Sequence, residues 1–103
     1  MIFYHITTPE QWEKYAEKDF YEAESLFTEG FIHASYAEQV DETLKLYYKD
    51  VPMVFIFKID PSVLSSKLVL EPSRNGEIFP HIFGAINKSA ILEIEERALK
   101  MGI

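Results

Sequence analysis

The sequence predicts an α+β fold with a mostly antiparallel or mixed sheet. Three observations carry this. Five or six short segments are β-branched, aromatic or alternating in polarity. Two longer stretches combine helix-start signals with an apolar stripe at helical spacing. Their order is not a clean β-α-β-α alternation, which points away from a doubly wound parallel sheet.

Ile2 to Thr7 reads as the first strand. Thr8, Pro9 and Gln11 then form a helix start, with a capping threonine, a proline at the first helical position and a Thr-x-x-Gln capping box. Trp12, Tyr15 and Ala16 give that helix its apolar face, which fades near Lys18–Asp19. Ser25 caps one short turn through Leu26 and Phe27, closed by Gly30. Phe31 to Ala34 is a short buried strand. Ser35 and Glu38 read as a second capping box, opening a helix from about Tyr36 to Lys49 with Val40, Leu44 and Tyr47 or Tyr48 inward.

Met53 to Ile59 is apolar enough to be a central strand buried on both faces. Asp60-Pro61 starts a single turn through Leu64. Lys67 to Glu71 is a strand, Pro72 to Gly76 a loop, and Ile78 to Phe83 an apolar segment around Pro80 and His81. Ala90 to Glu96 alternates, so it is a strand with one wet face.

The 103 residues fit one domain spanning 1–103, without repeat or linker. Cysteine is absent, which removes disulfides, thiolate metal sites and a cysteine nucleophile. That suits a cytoplasmic location. No secretory leader pattern opens the chain, and its longest mainly apolar run is too short to span a bilayer. The formal charge of −7 argues against duplex nucleic acid, which needs clustered cations. A small ligand in a cleft remains compatible with it.

The chain has three histidines, each set among apolar residues, and they are expected to line one polar cleft. An imidazole so placed must find hydrogen-bond partners. His5-x-Thr7 and His33-x-Ser35 repeat a pattern: residues i and i+2 of a strand share a face, so each pair presents an imidazole beside a hydroxyl. The bland alternative is that each histidine is a satisfied core or edge residue, Ser35 a cap and Thr7 a strand residue. A three-histidine metal hydrolase is a third reading, but gaps of 28 and 48 residues give it no local spacing.

Among the carboxylates, Glu71 ends a strand and Glu77 precedes the His81 segment. Either is a candidate base or oxocarbenium stabiliser in a cleft, against the ordinary role of a strand-end carboxylate. Arg74, in the loop between them, is a candidate anion clamp. With four glycines and no P-loop or G-x-G-x-x-G, glycine-rich nucleotide loops are excluded.

Tyr4-His5-Ile6-Thr7, Trp12, Ser25-Leu26, Glu29-Gly30-Phe31-Ile32-His33-x-Ser35, Gln39, Glu71 and Phe79-Pro80-His81-Ile82-Phe83-Gly84 together resemble the domain of unknown function 952 family. The resemblance runs from about residue 2 to residue 95. Ala34 and Phe83 depart from the usual pattern, Phe83 standing where tyrosine is common and keeping its stacking surface. By remote similarity the family is grouped with ADP-ribosyltransferase-like proteins. That grouping implies a small split two-sheet fold with two main helices and NAD as substrate. It implies that a nucleotide-like small molecule, ribosylated or 2′-phosphorylated, is the partner. On it, His5 contacts the ribose, His33 with Ser35 shapes the nicotinamide pocket, and Glu71 or His81 fills the third, acidic role. Thr7, Arg74 and Phe83 would then bind substrate. A non-catalytic small-molecule or protein-interaction module on the same fold is the alternative reading.

Overall fold

The computed structural model describes residues 1–99. The elements are β1 (Phe3–Thr7), α1 (Pro9–Glu13), β2 (Phe20–Tyr21), α2 (Ser25–Thr28), β3 (Ile32–His33), α3 (Val40–Tyr47), β4 (Met53–Ile59), β5 (Lys67–Pro72), β6 (Ile78–Phe83), β7 (Ile86–Asn87) and β8 (Ile91–Ala98). The expected α+β class is what the chain adopts. It has two three-stranded sheets, ordered β1-β4-β8 and β3-β6-β5, and a two-stranded ribbon of β2 and β7. All of these pairings are antiparallel.

β4 is central, as its composition predicts. Alternation sends Val54 and Ile56 to one face, where they pack with Ile6, Val40 and Leu44 under α3. Phe57 and Ile59 point the other way, into a cluster with Phe3, Tyr21, Ile32, Ile82 and Ile86. Fully burying a side chain such as Phe57 is worth about 1.5–3 kcal/mol. The second sheet closes over this side through Ile32 and Ile82, which are register partners. A single bridge between Tyr4 and Ser35 ties the two sheets, its backbone N–H groups donating over 2.8 and 2.7 Å.

The helices are shorter than their periodicity predicts. Thr8 caps α1 as expected, accepting from Gln11 N–H at 3.3 Å. The Gln11 side chain does not complete the box; its amide donates to the Glu22 carbonyl at 2.8 Å. Past Glu13 the chain tightens into i→i+3 bonds. There the Lys88 ammonium takes the Tyr15 and Ala16 carbonyls at 2.6 and 3.2 Å, which an extending helix would have used. Ser25 opens α2 but caps nothing; its hydroxyl donates to the Phe31 carbonyl. Gly30, with φ +93°, ends the turn in a conformation that glycine adopts without steric cost.

The second capping box is shifted by one residue. A 3₁₀ turn over Ala37–Gln39 precedes α3, with Tyr36 at its N-cap and Gln39 accepting from Tyr36 N–H at 2.9 Å. Ser35 is drawn instead into the bridge to β1. β8 corrects a further expectation: Leu92 and Ile94 are 55% and 39% exposed, so both its faces meet solvent. Within the described sheet β8 is an edge strand, paired to β4 alone. Among the described residues no helix is long and apolar enough to cross a membrane.

Candidate functional site

Strand parity aims Phe3, His5 and Thr7 of β1 at the same face. Phe3 joins the core, while His5 and Thr7 emerge at the wall of a cleft of about 270 Å³. β2, which sequence periodicity did not reveal, brings Tyr21 against them. Its ring is fully buried, edge-on to Phe57 at 5.0 Å. Its hydroxyl donates to Thr7 Oγ1 at 2.6 Å and lies 3.3 Å from His5 Nε2. On the far side of the imidazole, His5 Nδ1 lies 2.6 Å from the His33 carbonyl. A carbonyl only accepts, so Nδ1 carries the proton and Nε2 is left as an acceptor. Burial pushes the His5 pKa down to about 4, outweighing the opposing bond to the His33 carbonyl. His5 is therefore neutral at pH 7.

Thr7, Tyr21 and His5 form a neutral hydrogen-bond chain along one wall. The Thr7 and Tyr21 hydroxyls can each donate or accept, so the bond between them can run either way, while His5 Nε2 only accepts. Ser35, Thr8, Thr43, Gln11 and Tyr48 add further neutral polar groups to the lining. Burial raises the Tyr48 and Tyr21 pKa values, keeping both phenols protonated. The Tyr48 hydroxyl donates to the Ile6 carbonyl at 3.2 Å. Glu24 is the one carboxylate in the lining, and no Lys or Arg contributes among the described residues.

A second cluster lies on the outer face of the β3–β6–β5 sheet. His33 and His81 are register partners, with rings 5.5 Å apart and edge-on. His81 Nδ1–H donates to Glu71 Oε1 at 2.6 Å, and His33 Nε2–H donates to Glu29 Oε1 at 3.0 Å. Phe31 stacks on the His81 ring at 4.0 Å and 21°, and Phe83 lies 5.4 Å from Phe31.

A family model described as a protein of unknown function, DUF952, matches residues 6–94. The chain belongs to the DUF952 family. A search of curated proteins finds no match. Among solved structures, the crystal structure of protein CC0527 from Caulobacter crescentus superposes with a TM-score of 0.84 at 24% identity, covering 93% of this chain and 85% of that one. A double mutant of CC0527 gives the same TM-score at 23% identity, with the same coverage. The solution NMR structure of CC0527 gives 0.76 at 24% identity, covering 98% and 86%. These similarities establish a shared fold.

In this DUF952 chain both His-x-[Thr/Ser] pairs reach one cleft, since His5, Thr7, His33 and Ser35 all line it. His81 does not line it, and neither do Glu71, Phe83 or Arg74. The register that pairs His81 with His33 turns its ring to the outer face, and Glu71 follows as its diagonal neighbour on β5. Arg74 is exposed in the turn joining β5 to β6, away from the cleft. Glu77 accepts from Gln39 Nε2 at 3.0 Å and so anchors that turn. The imidazoles do not converge on a metal site: no group of three or more His, Cys, Asp or Glu among the described residues is placed to hold an ion. Tyr21, Tyr48, Thr43 and Glu24 were not legible as site residues. Of these, Tyr48 was legible only as a candidate inward residue of the second helix.

Proposed function

We propose that the cleft binds the ribose of a nucleotide-like small molecule, with NAD or a ribosylated or 2′-phosphorylated nucleotide as the ligand class. The observation that carries this is the Thr7–Tyr21–His5 chain. Sugar hydroxyls both donate and accept: the Thr7 and Tyr21 hydroxyls can meet either role, and the neutral His5 Nε2 takes a donor, without moving charge. The placement of a first-strand histidine and a His-x-Ser block at the same cleft supports kinship with ADP-ribosyltransferase-like proteins. The cleft volume suits a nucleoside-sized portion of the ligand. Phosphates would lie in solvent, because no Lys or Arg among the described residues lines the wall.

Glu24 is the carboxylate available to stabilise positive charge developing on a bound sugar. Glu71 is held by His81 outside the cleft, and this favours a second reading, a binding module without turnover. NMR titration with NAD tests the first step of both. Amide and imidazole shifts centred on His5, Thr7, Tyr21 and Ser35 are expected. Thr7→Val should weaken them while leaving the fold intact. Flat spectra at millimolar NAD and nicotinamide riboside would remove the ribosyl reading. Binding with no nicotinamide release, unaltered by Glu24→Gln, would select the module.

A further inference from the structure

We propose that the outer face of the β3–β6–β5 sheet is a stacking platform for a flat, nitrogen-containing aromatic ring of the purine or pyridine kind. The ring belongs to a ligand whose sugar occupies the neighbouring cleft. The assignment rests on the ribosyl reading of that cleft for the identity of the ligand.

Register puts the aromatic surface together. Phe31, just before β3, lies two residues from His33, and Phe83 lies two residues from His81 on β6, so the four rings share one parity and meet in ring contacts of 4.0–5.5 Å. Phe83 stays 41% exposed and the His33 side chain 56% exposed, although both adjoin the core strands. Aromatic rings left wet on an antiparallel sheet present π-faces on which a planar heterocycle stacks.

The imidazoles supply polarity at the edge. Glu71 holds His81 through Nδ1, and Glu29 holds His33 through Nε2. Among the described residues the opposite nitrogens, His81 Nε2 and His33 Nδ1, have no side-chain or backbone partner. In the neutral rings each is an acceptor fixed in orientation, able to take the amine, amide or ring N–H of a heterocycle, with the His33 side chain well exposed and that of His81 15% exposed. The two carboxylates suit a ring bearing N–H donors or a partial positive charge and repel a polyanion. Lys67, opposite Phe83 in the ladder, is the one cation on this face of β5.

His33 joins the platform to the cleft. Its ring sits edge-on to Phe31 and His81 on the outer face, while its carbonyl holds His5 Nδ1 and the residue is part of the cleft lining. One ligand can therefore reach both with its glycosidic bond near His33.

The test is an NMR titration with adenosine and with nicotinamide riboside. Ring-current shifts at Phe31, His81 and Phe83 should accompany shifts at Thr7 and Ser35. Phe83→Ala should weaken nucleoside binding about tenfold, and Phe83→Leu nearly as much, since it keeps apolar area but loses the π-face. Both variants should fold, because Phe83 is partly wet. Cleft shifts with a silent platform, or unchanged affinity in both Phe83 variants, would overturn the platform and leave the ribosyl reading standing. Platform shifts with a silent cleft would uphold the stacking surface and remove the ribosyl reading. Silence at both would overturn both.

Discussion

His5 and His81 each donate an Nδ1–H bond of 2.6 Å, yet they sit in opposite chemical settings. His5 gives its proton to a carbonyl inside the core and is held neutral by burial. His81 gives its proton to a carboxylate on a sheet face, where the Glu71 side chain is 40% exposed. The bond lengths are equal, so length does not decide the role. The charge of the acceptor and the access of water do. The inner imidazole is a fixed neutral acceptor for a ligand, and the outer one belongs to a charge-assisted pair that water screens.

The largest expected contrast is in stability. His5→Ala leaves the His33 carbonyl without its donor, removes one of the two partners of the Tyr21 hydroxyl and leaves a cavity, a loss of about 3 kcal/mol. His81→Ala, on the outer face, should cost about 1 kcal/mol. Urea unfolding of the two variants measures the gap, and equal losses would erase the distinction between the sites. Acid acts next. The folded-state pKa of His5 lies near 4, below its ordinary 6.5, so the unfolded chain takes up this proton first as pH falls. The stability tied to neutral His5 is complete above pH 6.5 and is lost on descending toward pH 4, by roughly 3 kcal/mol. In His5→Gln that part of the pH dependence should vanish. An unchanged profile would mean that His5 becomes charged within the fold. Tyr21→Phe should cost about 1–2 kcal/mol, because Thr7 and His5 lose the hydroxyl between them. It should also weaken ribosyl ligands.

The inner site was more legible than the outer one, for reasons of parity. His5-x-Thr7 fixes a shared strand face whatever the partner strand, and the two residues do converge on Tyr21. The place of His81 depends on register against β3, which local sequence does not state, so its cleft assignment failed while its pairing with Glu71 went unseen. β4 was readable because both its faces are apolar. β2 and β7, two residues each, carry too little periodicity to detect. Helix α1 was overestimated because the competing partner of its carbonyls, Lys88, lies more than 70 residues away. Gln39 was visible only as a residue of the family pattern. Its burial and its bonds to Glu77 and the Ile78 carbonyl show it to be a strut between α3 and the β5–β6 turn.

Glu71→Gln gives the smallest expected effect and the sharpest view of the outer pair. Glutamine keeps an oxygen that accepts from His81 Nδ1–H, so geometry survives while the negative charge is lost. With the carboxylate of the pair 40% exposed, the stability change should stay below about 1 kcal/mol and shrink further in high salt. The same substitution should leave the pH dependence between 4 and 6.5 tied to His5 intact, because that arises from burial on the opposite side of β3. A loss of several kcal/mol, insensitive to salt, would instead show a desolvated pair. The outer histidine would then resemble the inner one, and the platform would be a rigid extension of the core.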